Sequence, residues 1–412
     1  MNALARLAAS SLWNRRGTAA LTVFAIAVSV ALLLGVQQVR TQARESFANT
    51  LSGTDLVVGA RSSPLNLLLY AVFRVGDATA NVSWKTYQKV VRHRDVAWTI
   101  PLSLGDSHRG FRVLGTSTDY FRHYRYGRKQ LLRLAVGRAF ANEQEAVIGA
   151  QVAAALGYHV GDSLVLAHGI GEVSFEQHRQ HPLRLVGILA PTGTPVDRTV
   201  HVSLEALTAV HLATEETTGT ASPVRNLTPP AITAFLVGMK ERSTLFMMQR
   251  ALNDYRGEAV TAVMPGVALQ QLWQLVGVAD TALLVVSGFV VFAGLLGMLT
   301  ALLTSLNERR REMAILRSVG ARPSQIFSLL VSEATLLSLL GAISGLLLTV
   351  GSLALLRPWV EATYGLALAL GMPGRLEWAM LAGVVIAGAL IGVVPAWRAY
   401  RHSLADGLTV RI

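Results

Sequence analysis

Apolar positions along this chain follow two different patterns. Four stretches are apolar almost without a break, and between the first two the apolar runs become short, alternating and punctuated by turn residues. The first stretch is "AALTVFAIAVSVALLLGV", Ala19 to Val36, and the second is "TALLVVSGFVVFAGLLGMLTALLTSL", Thr281 to Leu306. The third runs from Ile326 to Leu356 with Glu333 as its only ionisable residue, and the fourth is "WAMLAGVVIAGALIGVVPAW", Trp378 to Trp397. About 20 mostly apolar residues are enough for a helix to cross a bilayer core, so each stretch is predicted to span a membrane. Arg15 and Arg16 precede the first as they would a signal peptide, but its apolar run exceeds a usual signal core and "VQQVRTQA" is a poor cleavage site. We read it as an uncleaved anchor. Gly341 with Gly345, and Gly388 with Gly392, recur at the spacing that lets helices approach closely, without saying which helix is the partner.

Residues 37–280 read as a folded domain. "EAVIGA" (Glu145 to Ala150), "SLVLAH" (Ser163 to His168) and "LRLVGIL" (Leu183 to Leu189) alternate or run apolar as strands do. "GAQVAAALGY" and "ERSTLFMMQRALNDY" carry helical spacing, with Gly157 as a stop for the first. Thr214 to Pro230, "TEETTGTASPVRNLTPP", is polar and rich in turn residues and is expected to be an exposed loop. A segment this long can bury its own core. The expected fold class is a polytopic α-helical membrane protein with four transmembrane helices and a large α+β extracytoplasmic domain between helices 1 and 2. The expected boundaries are a cytoplasmic N-terminal helix at 1–18, spans at 19–36, 281–306, 326–356 and 378–397, a loop at 307–325, a short outer loop at 357–377 and a tail at 398–412.

Composition agrees. The chain is 52% hydrophobic and 15% charged, where soluble proteins carry about a quarter charged residues. Its formal net charge is +12, and all but four of its 37 basic residues are arginine. On one side of the predicted spans lie Arg6, Arg15, Arg16, Arg309, Arg310, Arg311, Arg317, Arg322, Arg398, Arg401 and Arg411. The only short loop on the other side offers Arg357 and Arg375. Arginine accumulates on cytoplasmic loops, and long domains cross regardless of charge. Both termini and the 307–325 loop are therefore expected in the cytoplasm, with 37–280 outside. Topology accounts for the basic excess, so nucleic acid is not needed as a partner. There is no cysteine, which excludes disulfides, thiol catalysis and thiolate metal sites.

Several motifs suggest chemistry and each has a plainer explanation. "GDSL", Gly161 to Leu164, resembles a lipase-esterase nucleophile block, but no aspartate here has a histidine three residues later. A turn entering the strand of "YHVGDSLVL" explains Gly161 and Asp162 equally well. "GDSHRG", Gly105 to Gly110, misses the nucleophile-elbow spacing by one residue. His178 and His181 would share a metal only if helical, and their surroundings read as a polar loop without a completing acid. The Asn226 sequon "NLT" matters only in a glycosylating compartment. Glu333 differs, because an ionisable group within a span is costly and is often functional. A functional role and a structural one, snorkelling or pairing with a loop arginine, stay equally open for it.

A P-loop needs a lysine after glycine, and none of Lys85, Lys89, Lys129 and Lys240 has one. ATP, if it drives this protein, is therefore bound by another polypeptide. The largest internal cytoplasmic surface is "NERRREMAILRSVGARPSQI", Asn307 to Ile326. Arginine in hydrocarbon costs about 2.5–3.5 kcal/mol per residue, so Arg309, Arg310 and Arg311 must lie outside the bilayer. Glu308 and Glu312 are four apart, Met313, Leu316 and Val319 form an apolar edge, Gly320 is a stop, and Pro323 prevents simple continuation. The loop is thus an amphipathic, terminated helix, which is more than a topological signal requires.

The same residues carry a family resemblance. "ERRREMAILRSVGARPSQI" followed by "LLVSEATLLSLLGAISGLLL" resembles the second-to-third span region of FtsX-like ABC permeases of the MacB type. "LWNRRGTAALTVFAIAVSVALLLGV" is similar to that family's first span. "RVLGTSTDYF", "LAVGRAF", "EAVIGAQVAAALGYHVGDSLVL" and "LRLVGILAPTGTPVDRTVHVSLEAL" resemble its periplasmic core domain, and "GVVPAWRAYRHSLADGL" its last span and tail. The resemblance covers nearly the whole chain in the family's order. It implies a non-catalytic membrane subunit in a bacterial inner membrane, paired with a second permease copy, with ATP and Mg on separate cytoplasmic ATPase subunits and no cofactor on this chain. It implies that Asn307 to Ala321 is a coupling helix, with Glu308, Arg309, Arg310, Arg311, Glu312, Arg317 and Gly320 at the ATPase contact. Glu333 matches an acidic position at the start of the family's third span. MacB itself carries a fused ATPase, whereas only about eighteen residues precede the first span here. That departure leaves open whether a periplasmic adaptor or lipoprotein takes part. Export or extraction of a substrate is the leading expectation; mechanical activation of a periplasmic enzyme without transport is the alternative.

Overall fold

The structure, a computed structural model, describes residues 16–168, 182–217, 227–308, 313, 315, 317–364 and 373–401. Along the chain come α1 (Arg16–Thr50), β1 (Leu56–Ala60), α2 (Pro64–Ala71), β2 (Val82–Ser83), α3 (Trp84–Val91), β3 (Val96–His108), β4 (Phe111–Thr116) and α4 (Asp119–His123). Then follow β5 (Arg125–Tyr126), β6 (Gln130–Leu131), β7 (Leu134–Gly137), β8 (Glu145–Ile148), α5 (Ala150–Leu156), β9 (Ser163–Leu164), β10 (Ala167–His168) and β11 (Leu183–Leu189). The remainder is β12 (Thr199–Ser203), α6 (Leu204–Thr217), β13 (Ala231–Ile232), β14 (Ala234–Met239), α7 (Leu245–Asn253), β15 (Val260–Val263), α8 (Pro265–Glu308), α9 (Pro323–Tyr364) and α10 (Arg375–Arg401). Two compact units result, one built from residues up to Gln42 with those from Gly277 onward, the other centred on Ala43–Val276.

In the first unit, α1, α8, α9 and α10 are each long and apolar enough to cross a membrane. Their inward residues form one core: Ile26, Val30 and Leu34 of α1, Leu295 and Met298 of α8, Ala334 and Leu337 of α9, Leu381 and Val384 of α10. Their outward residues are equally apolar, including Phe24, Phe289, Leu347 and Leu390, as expected of helices whose other neighbour is lipid. The paired glycines acquire partners. A Cβ on Gly341 or Gly345 would stand 2.5 or 2.6 Å from side-chain atoms of Ile26 or Val30, so these two residues seat α1 on α9. Gly388 and Gly392 take Ser338 and Ala334 of α9 in the same way.

The second unit is an α+β domain around an 11-stranded sheet whose main path is β15-β1-β14-β3-β4-β12-β8-β11-β7. The pairs β4–β12 and β8–β11 are parallel, and the other pairs along this path are antiparallel. Both faces are covered, which is why strands such as "LVVGA" read as unbroken apolar runs. Val57 packs with α2 and α4 on one face, while its neighbours Leu56 and Val58 pack with α3 and α7 on the other. Val113, Ile148 and Val202 meet α5 and α6.

Several expected elements appear with altered limits. α5 ends at Gly157 in the left-handed region, φ 68°, where its N–H returns to the Ala153 carbonyl. "EAVIGA" becomes β8 with Gly149 as the N-cap of α5. The expected loop from Thr214 begins as helix, because α6 carries on to Thr217; residues 218–226, with Asn226, lie outside the described residues. "GDSHRG" is the end of β3 and its hairpin turn. Arg109 and Gly110 both have positive φ, 47° and 82°, as a two-residue turn between His108 and Phe111 requires.

Candidate functional site

The loop joining α8 to α9 carries most of the predicted functional residues. Glu308 closes α8, Arg309, Arg310, Arg311 and Glu312 lie outside the described residues, and Met313, Ile315, Arg317 and Ser318 are helical. The turn stops at Gly320, φ 100°, a conformation open to glycine and costly for others. There Val319 N–H and Gly320 N–H return to the Ile315 and Arg317 carbonyls at 3.1 and 3.0 Å. α9 then starts on Pro323, which needs no donor in a first turn, while the Gln325 side chain accepts from Arg322 N–H at 2.9 Å. The loop therefore enters α9 through a capped, hydrogen-bonded turn.

Its apolar residues divide otherwise than the periodicity suggested. Met313 packs against the buried cluster of Leu306, Ile326, Leu330 and Ala396, but Val319 is 83% exposed and Ile315 55% exposed. Val319 belongs to the turn that Gly320 closes, out of phase with the helix before it, so the edge predicted through Met313 and Val319 does not form. The side chain of Leu316 lies outside the described ones. Arg317 is half-buried between the two exposed apolar residues, and Gly320 is exposed. Ile315 had no place among the predicted contact residues; its four-residue separation from Val319 was the available signal.

Glu333 lies about 15 Å along α9 from Pro323 at 1.5 Å per residue. It is 3% exposed and partnered, hence it does not snorkel to water in this arrangement. Its helix is the hub of the unit: α9 touches α1 through Gly341 and Gly345, α10 through Ala334 and Ser338, and α8 where the Ser338 hydroxyl approaches Met298 Sδ at 3.5 Å. Elsewhere Ser29 Oγ of α1 donates to the Val290 carbonyl of α8 at 3.2 Å, and Arg40 Nε pairs with Asp280 at 3.0 Å.

In the α+β domain, the last turns of α1 are held by several groups at once. Tyr124 donates its hydroxyl to the Thr50 carbonyl at 2.5 Å, Gly127 N–H reaches Asn49, and Ser46 Oγ reaches the Gly193 carbonyl at 3.4 Å. Phe47 lies against Phe73 and Trp273. Tyr124 stacks on Tyr120 at 4.8 Å, and Tyr120 meets His201 at 5.1 Å. Beside them, Arg74 is held at φ 61° and donates to the Ala71 carbonyl. Burial raises the Tyr120 phenol to about 12, against the opposing influence of Arg74. Burial, reinforced by Arg74, pushes the His201 imidazole down to about 3. Glu145 takes both nitrogens of the Arg138 fork and the Ala141 N–H, and the Arg138 hydrogen bonds lower it to about 2.

The other candidate chemistry resolves into backbone architecture or falls out of view. In "GDSL", Asp162 accepts from His159 N–H at 2.7 Å, Gly161 has φ 109°, and Ser163 opens β9 opposite Arg184. His178 and His181 lie outside the described residues. Among the described residues no three His, Asp or Glu side chains gather as a metal site would need.

Four membrane-length helices with a large α+β domain inserted after the first define a multi-pass membrane protein of the ABC-permease class. The MacB-like periplasmic core domain matches residues 19–255, more than half the chain, and the FtsX-like permease C-terminal region matches 284–404. The chain belongs to the FtsX-like ABC transporter permeases of the MacB type. It is 30% identical over 120 residues to the macrolide export ATP-binding/permease protein MacB of Nitrobacter winogradskyi, covering 29% of this chain and 17% of that protein. To the uncharacterized ABC transporter permease YknZ of Bacillus subtilis it is 31% identical over 109 residues, 26% of this chain and 25% of the relative. A MacB from Bordetella avium aligns over 236 residues at 27% identity, 55% of this chain and 33% of that protein. The chain thus spans a third or less of these relatives' lengths. The periplasmic region of MacB from Actinobacillus actinomycetemcomitans superposes at TM-score 0.36 and 10% identity, over 54% of this chain and 94% of that one.

Proposed function

We propose that this chain is the non-catalytic membrane subunit of an ATP-driven transporter that exports or extracts a substrate on the outer side of a bacterial inner membrane. ATP, with Mg2+, is hydrolysed on a separate cytoplasmic ATPase, and two permease copies assemble with it; a periplasmic adaptor or lipoprotein is a further candidate partner. Both termini and the 307–325 loop face the cytoplasm. The observation that carries this reading is the exposed pair Ile315 and Val319 around Arg317 on a capped turn. Apolar side chains left in the open beside a basic residue suit a protein contact, and the turn is the start of α9, which touches every other helix of its unit. Closure of the ATPase pair would displace α9 and, through the glycine contacts, α1 and α10. The arginines of 309–311 and the carboxylates of Glu308 and Glu312 add charge to the same docking surface, and Glu333 lies along the path.

Arg311→Glu combined with Arg317→Glu, and separately Val319→Asp, should cut co-purification of the ATPase at least tenfold while membrane insertion and yield stay unchanged. Undiminished co-purification in both variants would remove the loop from the docking surface.

A further inference from the structure

Ile386, Leu390, Val394 and Trp397 form one row on α10, and they are 60%, 65%, 45% and 56% exposed. Arg401 continues the row one turn further on and is also exposed. At about 100° per residue, the protein contacts of α10 lie on the opposite side. There Gly388 and Gly392 meet Ser338 and Ala334 of α9, and Ala396 is buried with Ile326 and Leu330. From Ile386 to Trp397 the apolar row runs for about 16 Å at 1.5 Å per residue. Half of a hydrocarbon core is about 15 Å, so the row matches the depth of one leaflet.

The end of this row is cationic. Arg398 stands three residues before Arg401, which brings both guanidiniums onto the last turn of α10. Neither makes an ion pair among the described residues. The only carboxylate of α10 is Glu377, in its first turn at the other end. Trp397 stacks on Tyr400 at 6.1 Å with the ring planes 19° apart, a flat aromatic surface beside the two cations. The plain explanation is interfacial anchoring, since aromatic and basic residues gather at the ends of membrane helices in general. Anchoring asks for no particular grouping of them. Here two forked donors without a counter-ion stand one turn apart at the end of a leaflet-deep apolar row. Phosphate suits the forks, and an acyl chain suits the row.

We propose that the last turn of α10 is a binding site for one anionic phospholipid. Its phosphate lies between Arg398 and Arg401, and one acyl chain lies along Trp397, Val394, Leu390 and Ile386. Neither the ATPase nor the assigned sidedness enters, because α10 ends in a leaflet whichever side that is.

The test uses the full-length protein in detergent, titrated with phosphatidylglycerol and phosphatidylcholine, with retained lipid counted by native mass spectrometry. Phosphatidylglycerol should be retained at least tenfold over phosphatidylcholine, as a single saturable copy per chain. Arg398→Gln with Arg401→Gln should remove that preference. Arg16→Gln with Arg322→Gln takes the same charge from the same end of the helix unit and should leave it unchanged. In nanodiscs, phosphatidylglycerol brominated in its acyl chains should quench tryptophan fluorescence more than brominated phosphatidylcholine does. That excess should disappear in Trp397→Phe, a variant that keeps both arginines, so this arm does not depend on how the arginine variants fold. Equal loss of preference in the two double variants would leave only general basic charge and overturn the site. So would an absence of preference in the unmodified protein, or excess quenching that persists in Trp397→Phe.

Discussion

His201 stands in the middle of β12 with no exposure, between Tyr120 and the Arg74 charge. Its imidazole titrates at about 3 in the fold, against 6.5 when free. Between those values the unfolded chain holds a proton that the folded one refuses. Stability from this group is therefore complete above about pH 6.5 and is lost as pH falls toward 3. Glu145, lowered to about 2 from 4.5, is lost on the acid side too, but only below pH 4.5. The interval from 6.5 to 4.5 thus separates the two. His108 is also lowered by burial and contributes there, so the comparison must be with a variant. Two pH units for one proton amount to about 2–3 kcal/mol at most. His201→Phe should reduce the loss of thermal stability between pH 7 and 4.5 by up to that amount. An unchanged pH slope in the variant would mean that His201 is not held neutral.

Among the membrane helices, α9 meets α1 at a contact that includes backbone. A Cβ on Gly345 would lie 2.8 Å from the Ala27 carbonyl as well as on the Val30 side chain, and a carbonyl in a helix cannot move aside. Gly345→Leu should therefore destabilise the detergent-solubilised protein by about 1–3 kcal/mol, the usual cost of overpacking. Gly351→Ala, with nothing within 4 Å, should be neutral or gain up to about 1 kcal/mol of helix propensity. Equal melting temperatures for both variants would show that the glycine spacing is incidental. This contact also marks where sequence reading ends. The small-residue spacing was visible, yet nothing in one sequence says which helix faces Gly341. The four spans were legible because burial in lipid demands an apolar run, whereas their extensions were not. α1 continues through Gln37–Thr50, about four turns past the apolar run, and α8 starts at Pro265; outside lipid a helix needs only an ordinary amphipathic pattern. In the α+β domain, β8 and β11 were read from their apolar character, but the last turn of α6, Thr214 to Thr217, was obscured by its polar residues. For the loop, Gly320 and Pro323 announced the stop, but the outward turn of Val319 depends on backbone geometry that periodicity does not carry.

At the scale of the whole molecule, the arginine distribution makes a claim about sidedness that helix lengths alone cannot make. The residues on the side assigned to the cytoplasm include Arg317 and Arg322 of the loop before α9, and Arg398 and Arg401 at the end of α10. The hairpin turn at Arg109–Gly110, in the domain between the first two membrane helices, belongs to the opposite side if that domain is translocated. The absence of cysteine makes the claim direct to test, since every introduced thiol is the only one present. Ser318 and Arg109 are both exposed positions suited to such a probe. Ser318→Cys should react with a membrane-impermeant maleimide in inside-out vesicles and not in intact spheroplasts, and Arg109→Cys should show the reverse. Labelling of both thiols from one side would contradict a translocated domain. Labelling with the two sides exchanged would keep the spans but move the loop away from ATP, and with it the ATPase docking surface. The experiment therefore bears on function as well as topology: coupling through Ile315, Arg317 and Val319 requires this turn to lie where nucleotide is.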